Sequence, residues 1–521
     1  MIFATKTQAV IAVESPTRAG KQPFALSPFL SLRLVLSNHG VFACAVLLYA
    51  VWLEQIWSFT LDDAYISLRY AWNAVHGAGL VYSPGQRVQG FTNPSLVLLE
   101  AVLLFLHVPA VLSVVKLLSA FSGVGLLWLL RGNREWPHVG AVTLFASVCA
   151  PVIVRTVGGL ETVPFTFFVV LGISCCVKGD DRGLIALSCA ALTRPEGFLF
   201  ASVFSIIAVR RAPRLVLAAW IPVIVYEGWA WSFYGSVVPS TFLAKEPTHT
   251  FARSFYEWLP SFGSFLVLDA NILVVVGALC AVVRRPKVLW PVGVCIGLYT
   301  LYLAYEGRAV SMGEWYRYYV PLLGLLLWMC TIGLRDIRWD TVAIQRRRFF
   351  WLGVGVVIAL NAATLSVART SGLALDPVFT RWPLESVGPA LTRAHIALGY
   401  WLRDNRPSSH SSVALWDAGA ISYVSQMPAL DMYSLNDLTI IRDARDGRTD
   451  TIQRYILSHR PTYIIGIGNW IPWNLQSNTS FQRAYRRVMT PPFVYIDDWD
   501  RLVVYERVVC LSVGRHERTI C

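Results

Sequence analysis

The sequence predicts a polytopic α-helical membrane protein with a small α/β domain at its C-terminal end. The 521 residues are 55% hydrophobic, and the mean hydropathy is +0.51. Only 15% of the residues are charged, whereas about 25% is usual for a soluble globular domain. Apolar stretches long enough to cross a bilayer, which takes about 20 residues, recur along the chain until about residue 369.

About eleven stretches are candidate membrane spans. They follow a polar tail, residues 1–37, which has no cleavable-signal pattern and is expected to lie in the cytoplasm. The candidate spans are roughly 38–57, 94–110, 111–130, 139–157, 161–177, 184–209, 215–233, 262–283, 288–305, 319–334 and 349–368. The stretch 94–130 fits either two short passes or one broken pass.

Three basic clusters orient these spans, at 210–214, 284–287 and 335–348. Cytoplasmic loops of membrane proteins are enriched in Lys and Arg, so all three clusters are expected inside. The net charge of +13 is therefore interpreted as arginine-rich loops and not as nucleic-acid binding. The segments then expected outside the cytoplasm are 58–93, 234–261, 306–318 and everything after about 369.

Residues 370–521 differ in character from the preceding 38–369, which we expect to form the transmembrane domain. Charge rises, and helix-like stretches near 388–403 and 449–458 alternate with short β-rich runs. This alternation predicts a small extracytoplasmic α/β domain. The β-rich runs are 413–416, 462–467, 493–496 and 502–505.

Two adjacent carboxylates, Asp62 and Asp63, follow the first span within the loop 58–93. Neighbouring carboxylates repel each other, so one is expected to be protonated or paired. At the mouth of a helical bundle they are candidates for a general base, and a divalent cation is a second option. The alternative is helix capping, with Asp62 as N-cap and Asp63 in the first turn of a short helix that contains Tyr65 and Arg69.

Cationic groups in or near the spans are candidates for binding a phosphate. The sequence 193–197 places Pro and Gly beside Arg194 and Glu196, which predicts a broken helix that lines a cavity. The guanidinium of Arg194 matches phosphate oxygens, although a buried ion pair with Glu196 is the alternative. Lys245 lies in a loop expected outside, where it is either a phosphate ligand or a snorkelling anchor.

The loop 306–321 interleaves aromatic residues with charged ones, among them Glu314, Trp315 and Arg317. This mixture suits a sugar site, because rings stack on apolar sugar faces while charged groups bind hydroxyls; an interfacial aromatic belt is the alternative. The histidines show no zinc-ligand spacing. Since no phosphate-cradling Gly-rich loop precedes a helix, a nucleotide-driven pump or a nucleotide-sugar enzyme is disfavoured. A membrane enzyme that works outside the cell has no nucleotide sugars available, so a lipid-phosphate-linked donor, which lies in the bilayer, is expected.

Several motifs occur in the order found in one enzyme family. They are Asp62-Asp63-Ala64-Tyr65-Ile66, Arg69-Tyr70, Gly90-Phe91-Thr92-Asn93-Pro94, Gly159-Leu160-Glu161-Thr162, Leu192-Thr193-Arg194-Pro195-Glu196-Gly197, Pro239-Ser240-Thr241, Ala244-Lys245, Gly313-Glu314-Trp315 and Asp417-Ala418-Gly419. Residues 60–440 thereby resemble the polyprenyl-phosphate-dependent GT-C glycosyltransferases, in particular the actinobacterial terminal arabinofuranosyltransferases, whose donor is decaprenylphosphoryl arabinose. Departures at Gln86, Gln89 and Glu314 from that family's acidic pattern leave the donor sugar and the acceptor open.

The resemblance implies an integral-membrane transferase of the cytoplasmic membrane whose active site faces the exterior. It implies a GT-C-like bundle, a polyprenyl-phosphate-linked sugar donor, a glycan or glycolipid acceptor, contact with membrane lipid, no nucleic acid and a role in the cell envelope. The catalytic carboxylate would be Asp62 or Asp63, and the donor phosphate would meet Arg194, Lys245 or Arg317. The remaining matching positions are expected to bind sugar or acceptor: Tyr65, Arg69, Thr92, Asn93, Glu161, Glu196, Glu314 and Trp315.

Two other function classes stay open. One is a GT-C enzyme with another specificity, such as a mannosyl- or aminosugar transferase that acts on protein or on lipid A. The other is a transporter or flippase, which would also carry charges within spans. A transporter predicts repeated halves, and the sequence shows no such repeat.

Overall fold

The computed structural model is mostly helical over the described residues from 38 to 404 and carries a small sheet region near its C-terminal end. The residues that the structure describes are 38–132, 137–245, 250–307, 317–335, 337–338, 341–371, 384–467, 470–488, 502–508, 511–512 and 519–520.

Several helices before the sheet region begin with Pro in the first turn, where its missing N–H costs nothing. They are α1 Asn38–Gln55, α2 Ala64–Val75, α3 Pro94–Phe105, α4 Val111–Leu130, α5 Gly140–Ser147, α6 Ala150–Val157, α7 Thr162–Val177, α8 Gly183–Thr193, α9 Gly197–Ala208, α10 Pro213–Tyr234, α11 Ser240–Lys245, α12 Phe251–Ser264, α13 Ile272–Arg284, α14 Pro286–Glu306, α15 Val320–Arg335, α16 Ile344–Ser371 and α17 Leu384–Asp404.

Within the described residues, three helices are long and apolar enough to cross a membrane: α4, α10 and α14. Two bent pairs raise this number to five if each pair is one span, namely α5 with α6, bent by 51°, and 251–267 with α13, bent by 92°. Six further apolar helices have 10 to 17 residues. The predicted number of eleven spans is not confirmed, because several predicted spans correspond to helices shorter than the bilayer requires. The result is a multi-pass membrane protein.

The predicted break within 184–209 is confirmed, since α8 ends at Thr193 and α9 begins at Gly197. Arg194 has φ −152° and ψ 144°, the extended conformation that a residue before proline favours. Gly197 allows the chain to turn back closely, because a Cβ there would overlap the backbone of Ala190 and Ala191. The break therefore places Arg194 and Glu196 at the end of two closely packed helices.

The C-terminal region contains a five-stranded mixed sheet of order β2-β1-β3-β5-β4, together with a separate hairpin, β6 and β7. β2, β1 and β3 are parallel, with Val413 opposite both Ala429 and Tyr463, and β5 runs antiparallel to β3. Strands and helices alternate as follows: β1 Val413–Leu415, α18 Ala420–Ser425, β2 Ala429–Asp431, α19 Leu438–Arg445, α20 Thr449–Ser458, β3 Tyr463–Ile467, α21 Thr479–Ala484, β4 Tyr485–Arg487, β5 Leu502–Arg507, β6 Leu511–Ser512 and β7 Thr519–Ile520.

Three of the four predicted β-rich runs contain strands, and both predicted helical stretches are helices. The fourth run, 493–496, lies outside the described residues. The domain boundaries after 37 and after 369 stay predictions.

One hydrophobic core joins the first loop to the sheet region. Ile66 and Tyr70 on α2 and Phe91 in the loop belong to the same buried cluster as Leu398 on α17 and Leu415 on β1. Burying these apolar side chains together stabilises their contact with the sheet, at about 25 cal/mol for each Å² removed from water. The start of α2, where Asp62 and Asp63 lie, is therefore held between the helices and the sheet.

Candidate active site

The two neighbouring aspartates at the start of α2 have different surroundings. The Asp63 side chain is 58% exposed, and its Oδ2 lies 3.3 Å from Nη1 of Arg317. The Asp62 side chain is mostly buried and turns toward the sheet region. Asp63 occupies the N-cap position of α2 without a capping side-chain hydrogen bond, so helix capping does not account for the pair.

Asp62 links the first loop to the C-terminal region. Its carboxylate accepts hydrogen bonds from the backbone N–H groups of Gly419 and Ala420, both at 2.9 Å, and pairs with Nδ1 of His395 at 2.9 Å. Burial opposes the charge, but the attraction of His395 and these hydrogen bonds hold the pKa of Asp62 below its usual range. A Cβ at Gly419 would overlap the Asp62 carboxylate and its carbonyl oxygen, so the close approach requires glycine.

His395 lies between two carboxylates. Its Nε2 is 3.5 Å from Oδ2 of Asp417, opposite the nitrogen that meets Asp62. Asp417 is 32% exposed. Desolvation raises the pKa of Asp417, and so does the neighbouring charge of Asp62, whereas the attraction of His395 lowers it. Together these effects raise the pKa of Asp417 to about 6. Asp62, His395 and Asp417 therefore form one chain of titratable groups beside Asp63.

A buried ion-pair network lies on the other side of Asp63. Arg194 pairs with Glu161 and with Glu196, both at 2.7 Å. Arg317 bridges Glu161, at 3.1 Å, and Asp63. The predicted ion pair between Arg194 and Glu196 is thus present. It belongs to a network of five charged side chains, which also includes Glu161, Arg317 and Asp63. Among the described residues, this network joins three carboxylates, those of Asp63, Glu161 and Glu196, to two guanidinium groups.

Polar groups of the first loop complete this network. The Asn93 side chain donates to Glu161 at 2.8 Å and exchanges hydrogen bonds with Ser67 on α2. Glu161 therefore receives donors from both arginines and from Asn93, which is the satisfaction that a buried carboxylate requires.

The network lines a cleft that opens where the first loop meets the break at 194–196. Asp63, Arg317, Thr92 and Asn93 stand on its wall together with Glu196. The other lining residues are Ile66, Ser67, Gly90, Phe91, Leu160, Arg194, Pro195, Thr241, Phe242, Tyr302, Glu306, Tyr318 and Leu435. The cleft thus combines one exposed carboxylate, two guanidinium groups and several rings.

Two of the predicted sugar-binding residues lie elsewhere. Tyr65 is buried and packs against Tyr423, with ring centroids 5.9 Å apart. Arg69 is buried and donates to the carbonyl oxygens of Tyr82, Ser422 and Met427. Neither residue lines the cleft. Both instead connect α2 to the C-terminal region, and Arg69 also binds the loop 80–91 through Tyr82.

The side chains of three further predicted site residues lie outside the described part of the structure. Lys245 ends the short helix α11, and its side chain is outside the described residues. Glu314 and Trp315 also lie outside the described residues.

His395 is a member of the site that sequence reasoning did not single out. Asp417 enters the sequence prediction only as part of the motif Asp417-Ala418-Gly419. The contact between His395 and Asp62 joins positions 333 residues apart, and the sequence carries no local signal for it. Among the described residues there is no group of three or more His, Cys, Asp or Glu that could hold a metal ion.

Comparison with solved structures shows the fold. The chain is similar to ArnT from Cupriavidus metallidurans bound to undecaprenyl phosphate, with 12% identity and a TM-score of 0.53 over 92% of this chain and 98% of that one. The apo state of the same protein gives 13% identity and a TM-score of 0.55 over 89% and 97%. An Archaeoglobus fulgidus oligosaccharyltransferase, in complex with Zn and sulfate, gives 13% and 0.50 over 87% and 72%. The chain therefore shares its fold with these proteins, which are GT-C glycosyltransferases.

Sequence comparison gives less. A family described as "Domain of unknown function (DUF8728)" matches residues 388–509, which include the sheet region. No curated protein matches the chain. The likeness to arabinofuranosyltransferases is not confirmed.

Proposed function

We propose that this protein is an integral-membrane glycosyltransferase that moves a sugar from a polyprenyl-phosphate donor to a cell-envelope glycan acceptor. The observation that carries the proposal is the exposed Asp63 carboxylate, which stands in a cleft beside a partly buried guanidinium, that of Arg317. The GT-C fold supports the same reaction class, and ArnT in the solved structure is bound to undecaprenyl phosphate.

The reaction needs one base and one cation. Asp63 takes the proton of the acceptor hydroxyl, whose oxygen then bonds to the anomeric carbon of the donor sugar. The bond between that carbon and the phosphate oxygen breaks, and polyprenyl phosphate leaves. Arg317 neutralises the charge that develops on the leaving phosphate.

Asp63 is a better base than Asp62 on structural grounds. A base must reach the proton that it abstracts, and Asp63 is exposed in the cleft. The Asp62 carboxylate is already occupied by His395, Gly419 and Ala420. We assign Asp62 to holding the C-terminal region against α2.

Arg317 is a better phosphate ligand than Arg194. Arg194 is buried between two carboxylates, and removing it from a buried pair leaves uncompensated charge. Arg317 instead touches the exposed Asp63 at 3.3 Å, a contact that a phosphate can replace. The donor phosphate would then free Asp63 at the moment when the base is needed. Lys245 stays a third candidate.

Thr92 and Asn93 line the cleft and would position sugar hydroxyls, with Glu161 and Glu196 holding the guanidinium groups in place. Glu314 and Trp315 stay proposed sugar contacts. Tyr65 and Arg69, which are buried away from the cleft, would hold α2 against the C-terminal region, and Arg69 would also hold the first loop through Tyr82.

The donor and the side of the membrane follow from the resemblance of the motifs. Arabinofuranose, or a related sugar, is the donor sugar that we propose. The cleft would face the exterior of the cytoplasmic membrane, where nucleotide sugars are absent and a lipid carrier supplies the sugar.

Membranes that contain the protein test this function. They are incubated with synthetic polyprenylphosphoryl arabinofuranose carrying a labelled sugar, and label in the glycan fraction is counted. Wild type should transfer the label, whereas Asp63→Asn should not. Mass spectrometry of envelope glycans from a strain without the protein identifies the missing sugar, and an unchanged glycan profile would contradict the proposal.

A further inference from the structure

Three aromatic residues stand at one edge of the C-terminal sheet. Trp416 directly follows β1, Tyr433 lies two residues after β2, and Trp470 lies three residues after β3. These strands are parallel neighbours, so their carboxyl ends meet at the same edge. That edge is where open α/β sheets bind ligands.

The three rings form an open aromatic corner. The Trp416 ring meets the Tyr433 ring at 4.3 Å and 70°, and the Trp470 ring at 4.7 Å and 78°. Tyr433 is 39% exposed and Trp470 is 43% exposed. Partly exposed rings at the carboxyl edge of parallel strands provide a surface on which a ligand can stack.

Hydrogen bonds hold described residues in both flanking loops. Buried Asp431 accepts hydrogen bonds from the backbone N–H groups of Tyr433, Leu435 and Asn436. The Trp473 indole donates to the carbonyl oxygen of Met432 at 2.8 Å, which ties the loop after β3 to the loop after β2. A preorganised surface loses little conformational entropy when it binds a ligand.

We propose that this aromatic corner, Trp416, Tyr433 and Trp470, binds neutral sugar residues of the acceptor glycan. The inference rests on the proposed function, since it names where that reaction's acceptor lies. Asp417, which follows Trp416, is partly exposed and can accept hydrogen bonds from hydroxyl groups.

Position favours an acceptor over the lipid donor. The chain Asp417–His395–Asp62 leads from the corner to the residue beside Asp63. The lipid donor must approach Asp63 from the membrane helices, so the sheet edge is left for the acceptor. The partly exposed Asp417 carboxylate also disfavours anionic glycans and lipid headgroups, by like-charge repulsion.

The test uses the full-length protein in detergent. The probe is an α-1,5-linked arabinofuranosyl hexasaccharide, with hexagalacturonate as the anionic comparison. Saturation-transfer NMR titrations give Kd for the wild type, Tyr433→Ala, Trp470→Ala and the ring-preserving Trp470→Phe. Tyr400→Ala is the matched control, because Tyr400 is an exposed ring that packs on Arg403.

Each alanine variant should weaken hexasaccharide binding about tenfold, the size expected when one stacked ring is lost. Trp470→Phe and Tyr400→Ala should bind within twofold of wild type, and hexagalacturonate should not bind. Where Trp470→Ala melts at a lower temperature than wild type, Trp470→Leu removes the ring and keeps the bulk. Unchanged Kd in the ring-deleted variants, or equal binding of hexagalacturonate, would overturn the inference.

Binding and transfer separate the two proposals. If wild type transfers sugar and the ring-deleted variants keep the acceptor KM, the corner is not the acceptor site although the function stands. If no transfer occurs but the variants lose hexasaccharide binding, the corner binds glycan and the transferase function fails.

Discussion

Replacing Asp62 and Asp63 one at a time should separate a structural aspartate from a catalytic one. Asp63→Asn removes the proposed base and leaves the side-chain volume almost unchanged. Loss of a general base typically costs 10²- to 10⁴-fold in rate. We therefore expect kcat to fall by about that factor, with little change in the KM for the donor.

The structure predicts the opposite pattern for stability. The contact of Asp63 with Arg317 is 3.3 Å long, and the Asp63 side chain in it is 58% exposed, so it should contribute little more than an exposed pair, which contributes about 0–1 kcal/mol. Asp62 makes three contacts of 2.9 Å from a mostly buried site. Hydrogen bonds to a charged group contribute roughly 1.5–3 kcal/mol each. Since Asn keeps part of this set, Asp62→Asn should cost about 2–4 kcal/mol.

The assay pairs transfer kinetics with thermal unfolding of each purified variant in the same detergent. Asp404→Asn is the matched control, because Asp404 is 62% exposed and pairs with Arg403 at 3.1 Å, much as Asp63 pairs with Arg317. The control should keep both activity and melting temperature. The reasoning is refuted if Asp63→Asn transfers sugar at the wild-type rate, or if Asp62→Asn loses activity without any loss of stability.

Three further predictions concern stability. Arg194→Met should lower the free energy of unfolding by about 3–5 kcal/mol, because buried Glu196 loses its ion pair and buried Glu161 loses one of its two guanidinium partners; thermal melting that matches wild type would contradict this. Gly419→Ala should cost about 1–3 kcal/mol, since its Cβ would overlap Asp62, whereas Gly293→Ala, in open space, should not. The pKa of Asp417 is raised to about 6, so the folded state binds its proton more tightly than the unfolded state. The contribution of Asp417 to the free energy of unfolding therefore falls as the pH rises from about 4 to 6. Between pH 4 and 7, the free energy of unfolding, obtained from melting curves, should decline less for Asp417→Asn than for the wild type. The difference should be no more than about 1 kcal/mol after solvent screening. The same pH dependence in both proteins would contradict the assignment.

Local patterns in the sequence predicted the parts of the fold that local physics decides. The break at 194–196 follows from Pro195, which forces extended backbone before it. The strands at 413–415, 463–467 and 502–507 follow from short β-rich runs. The number of spans was less accessible, because apolar composition alone does not reveal where a helix stops short of the bilayer thickness.

The sequence could not predict which of Asp62 and Asp63 has the structural role and which is the proposed base. The two residues are adjacent and have almost the same local sequence, so only long-range contacts distinguish them. Asp62 meets His395 across 333 positions, and Asp63 meets Arg317 across 254. The candidate residues of the cleft were therefore predicted as a set, while the role of each depends on tertiary structure.

The most direct test places the purified protein in liposomes with polyprenylphosphoryl arabinofuranose, labelled in its sugar, and an arabinofuranosyl oligosaccharide. Our account predicts that the label moves from lipid to oligosaccharide with wild-type protein and stays on the lipid with Asp63→Asn. It would be contradicted if wild-type protein carried the labelled lipid from one leaflet to the other while no label entered the oligosaccharide.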